Sequence, residues 1–284
     1  MEQTHPHGAL APAQPPRIDE AGPFLKWAGG KGRLISQYRP HFPKRFRKYH
    51  EPFLGGGAVF FHLQPRAAFL SDSNFELIDT YTAIRDDVAQ VIKELQAHRY
   101  EKEHYYRIRD VDPRKLNLAR RAARMIFLNR TCFNGLYRLN KQGKFNVPIG
   151  SYKNPTICHR QKLLAASRAL TGTSLECRSF DTVLQRAVAG DLVYFDPPYH
   201  PLSDTANFTS YDRNGFGEED QIKLAWVMRE LRKRGAFVMQ SNSDSPFIRK
   251  LYRGFNIRTV RAGRAINSLA SRRGQINELL ITNY

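Results

Sequence analysis

Residues 193–201 read Val193-Tyr194-Phe195-Asp196-Pro197-Pro198-Tyr199-His200-Pro201. The apolar run fits a buried strand, and the chain leaves it through a carboxylate, two prolines and an aromatic ring. Open α/β sheets carry their chemistry at the carboxyl ends of strands. Two consecutive prolines stiffen the backbone and present no N–H. A flat, amino-bearing ring could stack on Tyr199 while its exocyclic NH2 donates to Asp196 and to the Pro197 carbonyl. The same residues also suit an ordinary strand-to-turn exit, so the rest of the chain must decide.

Working outward, strand-like and helix-like segments alternate from about Gly22, which points to an α/β sheet. Residues 47–51 read as a short strand entering Pro52-Phe53-Leu54-Gly55-Gly56-Gly57, and an apolar helix start follows from Ala58 to Leu63. Residues 66–70 form the next strand, ending at Ser71-Asp72. Asn74 then caps a helix with Leu77, Ile78, Tyr81 and Ile84 on one face. Helical periodicity returns at 86–98 and 116–132. From Thr131 to Pro155 the text is polar, basic and turn-rich, with Asn134-Gly135 and Gln142-Gly143 suggesting hairpins or tight turns. The alternation resumes with a helix at 159–171, a strand at 174–179, the strand before Asp196, a helix at 218–234 and a strand over 236–240. Strands at 255–262 and 276–282 are expected as an antiparallel edge. The domain organisation expected is a disordered leader over 1–22, an α/β domain made of 23–75 and 160–284, and a mainly helical insertion over 76–159.

The chain has 284 residues and a formal net charge of +19. A polyanionic partner is the natural reading of that charge, and its distribution strengthens the case. From Pro113 to Leu175 there are thirteen Lys and Arg and no acid. A second acid-free stretch, Ser245 to Asn277, holds Arg249, Lys250, Arg253, Arg258, Arg261, Arg264, Arg272 and Arg273. Charges that only keep a surface solvated are mixed in sign, whereas stretches of one sign suit a face that follows phosphates. No apolar run is long enough for a membrane span, and no signal pattern opens the chain. Cys132, Cys158 and Cys177 show no paired spacing, so neither disulfides nor a metal site is expected, and a reducing cytoplasm fits.

Two glycine segments could hold a small ligand. Gly29-Gly30-Lys31-Gly32 resembles a phosphate loop, but Gly32 stands where a Ser or Thr would bind Mg2+, and Leu25 stands at the leading glycine. An ATPase is therefore rejected. Gly55-Gly56-Gly57 follows a strand and opens a helix, as in dinucleotide folds, but Phe60 replaces the third glycine. Asp72, at the end of the next strand, suits a ribose hydroxyl. A glycine loop plus a ribose acid, without the phosphate-tuned glycine, suggests a nucleoside ligand lacking a pyrophosphate. S-adenosylmethionine is such a ligand, and Lys31 and Trp27 are candidates for its carboxylate and sulfonium.

At this point Phe24-Leu25-Lys26-Trp27-Ala28-Gly29-Gly30-Lys31, Glu51-Pro52-Phe53-Leu54-Gly55-Gly56-Gly57, Asp72 and Asp196-Pro197-Pro198-Tyr199 stand in the order of a known family. The chain resembles the Dam-type, D12-class N6-adenine DNA methyltransferases over about residues 23–284. Asn129-Arg130, the stretch Asn134-Gly135-Leu136-Tyr137-Arg138 and Phe145-Asn146-Val147-Pro148 resemble the recognition insert of the GATC-methylating branch. Thr205 to Thr209 resembles the loop after the catalytic motif.

The resemblance implies a Rossmann-like methyltransferase sheet with an inserted target-recognition domain. It implies methyl transfer from S-adenosylmethionine, without a metal, to N6 of a flipped adenine in double-stranded DNA. The catalytic residues would be Asp196, Pro197, Pro198 and Tyr199, with Phe208 near the flipped base. The cofactor would be held by Trp27, Lys31, Phe53, Gly55, Asp72 and Asp196. Lys26, Leu136 and Arg138 would meet bases, Asn134 would enter the opened duplex, and Arg130, Lys144 and Arg264 would serve DNA affinity. Whether a restriction endonuclease is a counterpart, and whether the chain acts as a monomer or weak dimer, stays open. Three rival methyl acceptors are weaker: C5 of cytosine needs a Pro-Cys nucleophile, N4 of cytosine more often goes with Ser at position 196, and protein glutamine typically with Asn there. A catalytically silent DNA binder would have no use for the Asp72 and Asp196 pocket.

Overall fold

The computed structural model describes residues 17–202, 215–263 and 275–284. Its centre is one seven-stranded sheet: β1 (Tyr49–Glu51), β2 (Ala68–Asp72), β3 (Ser174–Cys177), β4 (Leu192–Phe195), β5 (Phe237–Ser243), β6 (Asn256–Gly263) and β7 (Gln275–Thr282), in the spatial order 3-2-1-4-5-7-6. The first five strands in that order run parallel, and β7 enters antiparallel between β5 and β6. This is the expected Rossmann-like sheet, including the antiparallel pairing at its end. The strand order reverses between β1 and β4, and the crevice beyond that point is where such sheets bind ligands.

Helices cover both faces, so β4 reads as an unbroken apolar run rather than an alternation. Its four residues are all buried, but they divide by strand period. Leu192 and Tyr194 join a core that holds α3 (Phe75–Gln96), α5 (Leu118–Thr131) and α6 (Arg160–Leu170). Val193 and Phe195 join the opposite core, under α7 (Glu218–Lys233) and α8 (Pro246–Leu251). The short helices α1 (Ile35–Tyr38) and α2 (Ala58–Leu63) lie before and after β1 in the chain, and α4 (Lys102–Asp110) lies in the insertion. Asn74 caps α3 as expected, its side chain accepting from Leu77 N at 3.2 Å. Among the described residues no helix is long and apolar enough to cross a membrane.

Three expectations change. First, most of the leader expected over 1–22 lies outside the described residues, and within it Ile18 is tied to the fold. Ile18 N donates to Gln64 Oε1 at 2.8 Å and Gln64 Nε2 returns a bond to Ile18 O at 2.9 Å. Gln64 can do this because it leaves α2 in a left-handed conformation, φ 44°. Second, α3 crosses the expected boundary at 75/76. It packs against α6 as well as α5, and Tyr81 OH donates to Gly55 O, so its first half serves the sheet. The helical signal breaks at Asp87 (φ −150°, ψ 67°), a kink within one long element.

Third, the acid-free stretch is not one continuous phosphate-facing surface. Arg124 pairs with Glu76 at 2.7 Å with both side chains buried, Arg121 pairs with Asp79, and Arg120 reaches Glu94 at 3.4 Å. These acids come from α3, which lies along α5. Linear charge counting cannot see them.

Candidate active site

Asp196 leaves β4 at the carboxyl edge of the sheet. Lys31 Nζ lies 2.8 Å from its Oδ1, and Ser241 Oγ donates to the same oxygen at 2.7 Å. Lys31 is buried, and an ammonium is tolerable there because a carboxylate and the Gly29 carbonyl receive it. Its Nζ also sits 4.8 Å from the Tyr199 ring centroid, occupying one face of that ring. Tyr199 OH donates to Glu278 Oε2 at 2.7 Å. Burial raises the Glu278 carboxyl above the usual range, with Lys31 opposing that shift. Tyr38 and Tyr194 are wholly buried near Asp196, and burial pushes both hydroxyls upward.

The two prolines are held from behind. Gln221 of α7 donates Nε2 to the Pro198 carbonyl at 2.8 Å, and Gln221 Oε1 accepts from Asn242 Nδ2 at 3.0 Å. Asn242 Oδ1 then accepts from Ser243 N and His200 N. Among the described residues nothing donates to the Pro197 carbonyl. The Pro198 carbonyl is thus committed to the scaffold.

The glycine loop meets Asp72 directly. Gly55 N donates to Asp72 Oδ2 at 3.1 Å and Asn74 N to Oδ1 at 3.0 Å. Burial raises the Asp72 carboxyl, and these N–H donors work against the rise. Each oxygen keeps further acceptor capacity for a hydroxyl. Gly55 adopts φ 46°, and a Cβ there would stand 2.8 Å from Trp27 Cδ1, so only glycine lets the loop and the indole approach. Trp27 stacks in turn on Tyr137, with centroids 5.4 Å apart. Phe53 stacks on Phe180 at 5.3 Å and meets Phe195 and Phe216 edge-on, forming an aromatic wall beside β1. Glu51, at the end of β1, is fully buried, and desolvation pushes its carboxyl up to about 8.

The chemistry of these residues suits a nucleoside ligand: the stacked Phe53 and Phe180 are flat and apolar, and Asp72 is an acceptor with capacity left for a hydroxyl. Lys31 departs from the expectation, since its charge is committed to Asp196 rather than open to a ligand carboxylate.

Lys26, from the segment before β1, is clamped to α5 of the insertion: its N donates to Asn129 Oδ1 and its O accepts from Asn129 Nδ2. Its ammonium lies 4.5 Å from the Tyr152 ring centroid, and a Cβ on Gly135 would collide with its chain. Asn134 is exposed and left-handed, φ 55°. Arg138 Nε is anchored on Asn146 Oδ1 at 2.7 Å, and Leu136 is half-buried against the core. Lys144 is exposed in a tight turn closed by Asn140. Arg130 behaves differently: it is half-buried and donates to the Phe24 carbonyl at 2.7 Å, tying α5 to the segment before Trp27. Phe208 and Arg264 lie outside the described residues.

Sequence reasoning passed over Ser241, Glu278, Phe180 and the half-exposed Phe133 beside Asn134. One signal was available. Gln240-Ser241-Asn242-Ser243 continues an apolar strand with four polar residues, and all four are buried. Such a run marks a strand end that serves a site.

A family model described as "D12 class N6 adenine-specific DNA methyltransferase" matches residues 27–266. The chain is 43% identical over 270 residues to the type II methyltransferase M1.LlaDCHI of Lactococcus lactis subsp. cremoris, covering 92% of this chain and 95% of that one. It is 46% identical over 288 residues to the type II methyltransferase M.MjaIII of Methanocaldococcus jannaschii, covering 93% and 100%. It is 38% identical over 262 residues to the DNA adenine methylase of Vibrio cholerae, covering 90% and 94%.

Proposed function

Because this chain belongs to the D12 class N6 adenine-specific DNA methyltransferases, we propose that it methylates a flipped adenine within GATC in double-stranded DNA, using S-adenosylmethionine. The observation that carries the reading is the Asp196 corner. There an anchored carboxylate, a Pro197 carbonyl with no donor among the described residues and the Tyr199 ring lie together, with the Gly55–Asp72 loop as the second half of the site.

S-adenosylmethionine supplies a methyl group made electrophilic by its sulfonium. It would be held by Phe53 and Phe180 along its flat base, by Asp72 at its sugar and by Trp27 at the loop. The N6 lone pair of adenine is delocalised into the ring and is a poor nucleophile. Asp196 and the Pro197 carbonyl accept the two amino hydrogens and draw the nitrogen toward a pyramidal form, with its lone pair aimed out of the ring plane. Tyr199 offers the face not taken by Lys31 to a stacked purine, and Glu278 keeps that ring from turning. The chain's contribution is position and fixed charge, with no covalent enzyme intermediate. An adenine within a duplex cannot reach this recess, so it must be everted.

For target reading, Arg138 is preset by Asn146 and keeps guanidinium hydrogens for a guanine edge. Lys26 and Leu136 stand near it, and exposed Lys144 suits a phosphate. The resemblance of Asn134 to Arg138 and Phe145 to Pro148 to the recognition insert of the GATC-methylating branch supports that sequence as the target. The names of the type II relatives make a cognate restriction endonuclease a proposed counterpart. The test is incubation with labelled cofactor and defined duplexes, followed by nucleoside analysis, together with a methylome of cells expressing the chain. N6-methyladenine confined to GATC is expected. Label in cytosine, or N6-methyladenine in another context, would overturn the base or the sequence respectively.

A further inference from the structure

The two oxygens of Asp196 are not equivalent. Ser241 Oγ donates to Oδ1 at 2.7 Å and Lys31 Nζ lies 2.8 Å from that same oxygen, while among the described residues no hydrogen bond reaches Oδ2. Ser241 is wholly buried, and its oxygen lies 3.1 Å from Tyr194 OH, which is also wholly buried. A serine has one hydroxyl hydrogen. Here that hydrogen points at Asp196, so Tyr194 is the donor in the second contact. A directed chain runs from Tyr194 to Ser241 to Asp196. The sheet register builds it: Phe195 pairs with Gln240, which sets Ser241 beside Asp196, and strand period puts Tyr194 and Asp196 on the same side of β4.

We infer that Ser241, supported by Tyr194, is a positioning residue that locks the Asp196 carboxylate so that Oδ2 alone receives the amine to be methylated. The inference rests on the adenine-N6 reading above. A carboxylate is otherwise soft about its terminal torsion, which has broad wells. An acceptor that must meet one amino hydrogen in line with a methyl donor gains from being fixed before substrate arrives.

The experiment compares full-length wild type with Ser241→Ala and Tyr194→Phe. Readouts are the single-turnover rate of methyl transfer into a GATC duplex and the dissociation constants for S-adenosylmethionine and for DNA. Ser241→Ala is expected to lower the rate about 10- to 100-fold, the worth of a hydrogen bond to a charged group. Both dissociation constants should stay within about twofold of wild type. Tyr194→Phe removes only the second link and should lower the rate by a smaller factor, again with binding unchanged. If Ser241→Ala does not fold, Tyr194→Phe decides alone. An unchanged rate in the variants would overturn the inference, as would a rate loss matched by an equal loss of cofactor binding. A wild-type protein that places no label on adenine N6 sinks the functional reading instead, and is distinguished by that control.

Discussion

Tyr199 and Glu278 join the two ends of the reaction corner: the hydroxyl of the former, just past β4, donates to the carboxylate of the latter, on β7, at 2.7 Å. With Lys31 on one ring face, the tyrosine is restrained at its tip and on one side. Glu278→Ala is expected to free the ring and cut the single-turnover rate about tenfold, as is typical for losing a hydrogen bond to a charged acceptor. Glu278→Gln, which keeps an acceptor, should lie nearer wild type. Fluorescence of 2-aminopurine placed at the target adenine checks the cause, since a loosened ring should stack the everted base less well. Equal fluorescence and rate in Glu278→Ala and wild type would rule the restraint out.

Glu51 makes a stability prediction with a definite sign. Its folded value of about 8 lies above the ordinary carboxyl range because of burial, so the folded state holds a proton that the unfolded chain gives up. This contribution is fully present below the unfolded value and is lost as pH rises toward 8. Glu51→Gln keeps an acceptor for Tyr49 OH and Phe60 N and removes the titration. Thermal melts should show wild type losing ground to Glu51→Gln between about pH 5 and 8, by a few kcal/mol at most. Parallel curves for the two proteins would show that the group does not titrate with folding.

The arginines of α5 should divide by burial rather than by sequence position. Arg124→Ala strands the buried Glu76 charge and should cost about 3–5 kcal/mol in denaturant unfolding. Arg120→Ala, at an exposed pair, should cost less than about 1 kcal/mol. Neither should change the salt dependence of DNA binding, unlike a residue that touches phosphate.

Arg138→Ala should relax the choice of one base pair by about 1–3 kcal/mol. Asn146→Ala, which removes the anchor of the guanidinium, should share that relaxation in weaker form. Lys144→Ala should instead weaken binding to every duplex and lower the salt slope by about one. Competition binding against single-base variants of the site, at several salt concentrations, separates the two effects. If all three substitutions merely weakened binding, the division between base reading and phosphate contact would be wrong.

Much of the fold was readable because its signals are local. The buried run of β4, the Asn74 cap and the glycine turn into α2 each declare themselves within a few residues, and the strands fell close to their expected places. Gly55 and Asp72, seventeen residues apart and each at the end of a strand-like run, stand out in the sequence as one ligand site; the hydrogen bond between them is visible only in the fold. What stayed hidden depends on contacts distant in sequence. The acids that answer Arg120, Arg121 and Arg124 lie on another helix. Ser241 and Glu278 reach the site only through strand register, and Arg130 reads as a surface charge until its carbonyl partner 106 residues away is seen. Helix α4 also escaped notice, since it is short and largely polar.

The antiparallel course of β7 sets a rule on timing. Glu278 arrives at the pocket on a strand that is made after β5 and β6 and pairs with both. A ribosome that has translated only as far as Ser243 has made Lys31, Asp72, Asp196 and Ser241, yet its product still lacks the brace on Tyr199. Closing the sheet and bracing that tyrosine are therefore a single event in folding.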